Sequence, residues 1–198
     1  MQALRRTFGG IGVALLAALP VAASAAVITF NAALTTGQEV PAPNLDVAGG
    51  GVASPSGFGS GRLDTTTNEF SGSLSWSGMT SLVTRGHIHA APPGQTGGVL
   101  LGYFDFVAPP PAQPDLFLPT TFDFVLSPRT ITDAQETALL AGLEAGALYF
   151  NVHTVQNPPG EIRGNITTFA IGKVPVPASL ALVGAGLLAL GVAKRRRG

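Results

Sequence analysis

Three histidines, His87, His89 and His153, are all the imidazoles the 198-residue chain has. Two of them form a His-x-His pair in Leu82–Ala90 (LVTRGHIHA), and the third stands in Leu148–Thr154 (LYFNVHT). In an extended strand, alternate residues share a face about 6–7 Å apart, so His87 and His89 point together and Ile88 points away. Neutral imidazole is a good ligand for zinc or copper, and three imidazoles would leave one coordination position open. The competing reading is a structural polar cluster, in which the rings hydrogen-bond to backbone, to Asn151 or to Glu161. A second set of chemically able residues, Asn151, Glu161 and Arg163, follows in NVHTVQNPPGEIRGNI.

The strands that would carry these groups are legible from their alternation. Tyr149, Asn151 and His153 interleave with Phe150, Val152 and Thr154; Glu161, Arg163 and Asn165 interleave with Ile162, Gly164 and Ile166. This period of two describes a half-buried antiparallel pair, reversed by Asn157-Pro158-Pro159-Gly160. If Val152 and Ile162 both face the core, His153 shares the outer face with Glu161 and Arg163. Parity therefore places Glu161 or Arg163 within reach of His153; in the alternative, both pair elsewhere.

The rest of the chain reads as further strands and turns. Candidate strands are residues 27–36, 57–64, 69–77, 82–90, 99–107 and 121–126, with a hairpin turn at 65–68. Phe70, Gly72, Leu74 and Trp76 fall on one face. Residues 37–55, 91–98 and 109–119 read as loops. One helix is expected over residues 134–145, capped by Thr132 with Gln135 completing a capping box. Its apolar stripe is Ala138, Leu139 and Leu143, and Gly146 is its stop.

Composition agrees with an all-β body. Gly 26 and Pro 16 exceed a fifth of the residues and only 11% are charged, unlike a soluble helical bundle. The formal net charge is zero, but Arg5, Arg6, Lys194, Arg195, Arg196 and Arg197 supply 6 of the 11 basic groups. The remaining 5 face all 11 acidic groups, leaving the middle at −6. Nucleic acid is thus excluded as a partner, since its affinity rests on clustered Lys and Arg. There is no cysteine, so disulfides and thiolate chemistry are excluded too. No Gly-x-Ser-x-Gly elbow precedes a helix, and no phosphate loop is present; an enzyme is not expected. The single aspartates read as turn or cap residues.

Both ends read as addresses. Arg5-Arg6, an apolar run and Ala23-Ser24-Ala25 form a secretory signal peptide over residues 1–25. The domain follows over residues 26–173. Residues 174–198 hold Pro175 and Pro177, sixteen uncharged residues from Ala178 to Ala193, then Lys194-Arg195-Arg196-Arg197. A helix of that apolar length is about 24 Å, short for a membrane core of about 30 Å. Snorkelling basic side chains would let it insert with the domain outside. VPVPASLALVGAGLLALGVAKRRRG resembles a PEP-CTERM sorting signal, with Val176 where the family usually has Glu. The resemblance implies an exosortase-type processing enzyme as partner, transient insertion, and delivery to the surface or extracellular matrix of a Gram-negative bacterium. A permanent single-span anchor is the alternative.

Three further segments together, ALTTGQEVPAP (33–43), RGHIHAAPPGQTGGVL (85–100) and LYFNVHTVQNPPGEIRGNI (148–166), resemble the CHRD domain named after chordin. That resemblance spans residues 29–168. It implies an extracellular antiparallel β-sandwich of immunoglobulin-like or superoxide-dismutase-like shape, and no settled activity for bacterial members. Superoxide dismutase also carries a His-x-His strand, but this chain lacks its fourth histidine and disulfide, so dismutase activity is not expected. The function expected is a non-catalytic binding or structural module of the envelope, with polysaccharide or protein as partner; the alternative is a zinc- or copper-binding, or redox, protein built on His87, His89 and His153.

Overall fold

A computed structural model describes residues 26–107 and 113–173. The termini that carry the expected signal peptide and the sorting helix, with Pro175, Pro177, Arg195, Arg196 and Arg197, lie outside the described residues. Among the described residues no helix is long and apolar enough to cross a membrane.

Among the described residues, nine strands and one α-helix follow in the order β1 (Ala26–Thr35), β2 (Ser56–Asp64), β3 (Glu69–Ser77), β4 (Val83–Ala90), β5 (Gly98–Asp105), β6 (Phe122–Thr130), α1 (Asp133–Glu144), β7 (Leu148–Thr154), β8 (Ile162–Ile166) and β9 (Phe169–Lys173). All pairings are antiparallel. The ladder runs β5-β4-β7-β8-β1-β2-β3-β6, with β9 alongside the first half of β1. The all-β antiparallel architecture with one short helix is as the sequence implies. The ladder curls until its two ends nearly meet: Phe104 of β5 lies 4.7 Å, ring to ring, from Phe124 of β6, and Arg129 of β6 donates to the Gly102 carbonyl of β5. The result is a nearly closed β-sandwich.

The interior is built by alternation. Ile28, Phe30 and Leu34 of β1 face Phe70, Leu74 and Trp76 of β3, and Phe150 and Val152 of β7. Phe30 sits 5.9 Å from Phe150 and 6.4 Å from Phe70. Such ring pairs contribute about 0.5–1.5 kcal/mol each beyond area burial. Space for them comes from β2: a Cβ at Gly59 would lie 2.6 Å from the Phe150 ring and one at Gly61 2.3 Å from the Phe30 ring. A side chain at either position would expel an aromatic from the centre.

Helix α1 has the expected capping box between Thr132 and Gln135, and Gly146 (φ 60°) ends it. The stripe differs by one residue: Leu139 and Leu143 are buried, Leu140 packs beside them, and Ala138 is exposed. Strand β6 runs four residues past the expected end, through Pro128, because it lies at the end of the ladder, where a missing N–H costs no pairing. Strand β9 was not expected, since FAIGK has neither clear alternation nor a preceding turn signal.

Candidate metal centre

The histidine strands β4 and β7 are neighbours, and β8 lies on the other side of β7. Register sets Arg85 opposite His153, His87 opposite Asn151, and His89 opposite Tyr149; across β7–β8, Asn151 faces Arg163 and Tyr149 faces Asn165. One sheet face is therefore three rows of polar groups. The expected half-buried pair is not what forms: every residue of β7 is buried, on both faces. The polar face is roofed by loops, and the two Pro-Pro-Gly loops supply acceptors to it. Gly97, closing the first, accepts from His89 Nδ1 at 2.9 Å. Pro158, in the second, accepts from His153 Nδ1 at 2.9 Å and from Arg85 Nη2 at 3.2 Å.

Neither Glu161 nor Arg163 has a hydrogen bond to His153. The Glu161 carboxylate accepts from Thr80 N (2.7 Å), Thr80 Oγ1 (2.5 Å), Thr154 Oγ1 (2.6 Å) and Asn157 Nδ2 (2.9 Å). It ties the β3–β4 connection to the second Pro-Pro-Gly loop. Arg163 donates to Gln95 O (2.6 Å), Pro92 O (3.1 Å) and Asn165 Oδ1 (2.9 Å), and its guanidinium lies 3.5 Å over the Tyr149 ring. It pins the first loop. Parity predicted the face of these residues but not their reach, because loop carbonyls engage Arg163 and the donors of Thr80, Thr154 and Asn157 engage Glu161.

The three imidazoles do meet. Ring centroids lie 5.5 Å (His87–His89), 5.2 Å (His87–His153) and 5.5 Å (His89–His153) apart, a near-equilateral triangle. The three residues are 3%, 7% and 4% exposed. In each, one nitrogen is engaged: His89 and His153 with the carbonyls above, and His87 Nε2 with Asp105 Oδ2 at 3.4 Å. The other nitrogens, His87 Nδ1, His89 Nε2 and His153 Nε2, are buried without a partner. One nitrogen from each ring lies within 4.8 Å of the other two. A buried polar atom without a partner costs about 1–3 kcal/mol, so three together ask for an explanation.

Electrostatics favours the ligand form. Burial, followed by the neighbouring imidazole, pushes His87 down to about 4 and His153 to about 3; burial also lowers His89. All three rings are therefore neutral at pH 7, with lone pairs on the unpartnered nitrogens. Metal-bound histidines characteristically donate their second N–H to a carbonyl or carboxylate, the arrangement seen in all three. Bonds of about 2.0–2.1 Å to a tetrahedral zinc set nitrogens about 3.4 Å apart, so modest ring rotation would close the site. Three neutral nitrogens and no thiolate fit zinc or copper.

The CHRD-domain family model matches residues 30–166, well over half of the chain. The chain belongs to the CHRD-domain family. No curated protein and no solved structure matches it. The three histidines, Asn151, Glu161 and Arg163 all fall inside the CHRD match. So do four site residues that sequence reasoning did not single out: Glu39, Arg85, Asp105 and Tyr149. Arg85 was legible, since it precedes His87 by two and shares its face. Tyr149 was placed on that face, but its stacking on His89 (5.0 Å) was not foreseen. Glu39 had no signal: it lies on the loop after β1 and reaches Asn151 Nδ2 at 3.5 Å only in the fold. Burial raises its carboxyl to about 7, opposed by a backbone hydrogen bond from Val40, by the Arg163 charge and by Asn151.

Proposed function

We propose that this CHRD-family chain is an exported, non-catalytic binding module of the bacterial envelope or matrix, and that its specific chemistry is a zinc or copper centre held by His87, His89 and His153. One observation carries the metal assignment: three buried imidazoles gather with one nitrogen of each within 4.8 Å of the others, and each ring has one nitrogen held by a loop carbonyl or Asp105 and the other without a partner. A purely structural cluster would have used both nitrogens of each ring. Support for export is the pattern of the two ends, with an exosortase-type enzyme and envelope polysaccharide or protein as the partners that pattern implies.

Metal analysis of the full-length chain tests the centre. One zinc or copper per chain, lost in His89→Ala, is expected; a metal-free chain after exposure to both ions sinks it. Cell fractionation of a chain lacking residues 174–198 tests the sorting: its location should change, and an unchanged location removes that part.

A further inference from the structure

Two guanidinium groups stand behind the histidine triangle. Arg163 is fully buried, and among the described residues no carboxylate forms an ion pair with it. Its hydrogen bonds to Pro92 O, Gln95 O and Asn165 Oδ1 satisfy its donors but leave its charge in place. Its Cζ lies 3.5 Å from the Tyr149 ring centre, and the His89 ring lies 5.0 Å from Tyr149 and within 10° of parallel. Because β8 and β4 flank β7, the Tyr149 ring stands between the guanidinium and the imidazole. On the other side, Arg85 Nη2 and His153 Nδ1 donate to the same Pro158 carbonyl.

Two of the three rings therefore have a cation beside them. The third, His87, has an anion, Asp105, at 3.4 Å. Asp105 also stands opposite Arg85 across β4–β5, so those two charges offset each other and Arg163 remains in excess. The acid whose charge reaches Arg163 is Glu39, and burial raises its carboxyl to about 7, which leaves only a partial counter-charge at neutral pH. Three neutral imidazoles cancel none of an ion's own charge. In a buried site with excess positive charge, every further unit of charge is costly.

Geometry points the same way. Among the described residues the cluster offers three nitrogens and no carboxylate. Divalent copper seeks a square-planar or tetragonal set. Monovalent copper, with a closed d shell, has no such demand and is satisfied by three nitrogens at the corners of a triangle. Resting on the metal centre proposed above, we propose that its ion is monovalent copper, and that Arg163 sets this preference. Arg163 touches no ion; it acts through its charge, behind Tyr149 and His89.

The test measures Cu⁺, Cu²⁺ and Zn²⁺ binding to the full-length chain against competing chelators, with Cu⁺ handled anaerobically. One Cu⁺ per chain is expected, held more tightly than Cu²⁺ or Zn²⁺, with a reduction potential above that of the aqueous Cu²⁺/Cu⁺ couple. Arg163→Gln should lower the ratio of Cu⁺ to Cu²⁺ affinity about tenfold, which is about 59 mV for a one-electron couple. Arg163→Lys keeps the charge and should keep the ratio, and Arg62→Gln, a surface change at a residue paired with Asp64, should leave it unmoved. If Arg163 only pins its loop, both Arg163 variants weaken all three ions alike, and the inference falls. Should Arg163→Gln fail to fold, Arg85→Gln carries the test of charge, with an expected drop in the ratio of about threefold; no drop overturns the inference. Tighter binding of Cu²⁺ or Zn²⁺ than of Cu⁺ overturns monovalent copper and leaves the metal centre standing. A chain that takes up none of the three ions overturns the centre itself.

Discussion

Strands β4, β7 and β8 are buried on both faces by opposite means. On the inner face, Ile88, Phe150, Val152 and Ile162 are each 0% exposed and pack against apolar side chains. That face is stabilised by area removed from water and by close packing, which need no direction. On the other face, Arg163 and Glu161 are also 0% exposed, but each is held by three or four directed hydrogen bonds, most of them to loops. A sheet can thus roof a charged face with its own connections, provided every donor and acceptor finds a counterpart. Among the described residues, all six buried side-chain atoms without a partner are polar groups of this region, three of them imidazole nitrogens. The unpartnered imidazole nitrogens are the observation on which the proposed metal centre rests.

Breaking the apolar side should have the largest effect. Phe150→Ala removes the ring that lies between Phe30 and Tyr103 and should lower stability by about 3–5 kcal/mol in a denaturant titration; a loss under 1 kcal/mol would contradict the packing. On the polar side, Glu161→Leu strands the Thr80, Thr154 and Asn157 donors. It should cost about 3 kcal/mol and raise amide exchange in residues 155–160 first, whereas Phe150→Ala should loosen the whole sandwich.

The centre sharpens the contrast. A zinc or copper ion present at about a hundred times its dissociation constant should stabilise the chain by about 2.7 kcal/mol, reversed by a chelator; no shift in melting temperature would argue against it. Without metal, pH should act mainly through the imidazoles. The folded rings refuse protons that the unfolded chain accepts below about 6.5, so stability falls as pH drops toward 4 for His87 and 3 for His153. Glu39 works the other way, since its raised carboxyl, at about 7, makes the fold relatively more stable as pH falls from about 7 toward 4.5. With one histidine offset by Glu39, the net loss from pH 6.5 to 5 should be about 2 kcal/mol. A flat urea midpoint over that range would mean the rings are not buried neutral. As a control touching neither face, Thr132→Ala removes the helix cap and should cost only about 1 kcal/mol, with metal content unchanged.

Much of this was legible in the chain itself. Alternation identified the histidine strands and placed Tyr149, Asn151 and His153 on one face. The capping box of Thr132 and Gln135 forecast the helix. What parity could not do was set distance across loops. The expected neighbour of His153 was Glu161 or Arg163; the actual acceptor is the Pro158 carbonyl, because a tight Pro-Pro-Gly turn folds back over its own strand. Glu39 and Asp105 could not be assigned to the site, since each reaches it from a different element.

The sequence by itself determined the antiparallel strands, their two-faced pattern and the pairing of His87 with His89, because side-chain period and turn chemistry are local properties. Only the tertiary structure decided that the polar face would be covered, that His153 would join the other two, and that each ring would have one nitrogen engaged and one unpartnered. Those outcomes depend on which loop carbonyls come within about 3 Å of a given atom; Gly97 and Pro158 lie close to their histidines in the chain, but their loops are held over the face by distant residues, Arg163 on Pro92 and Gln95 and Asn157 on Asn44.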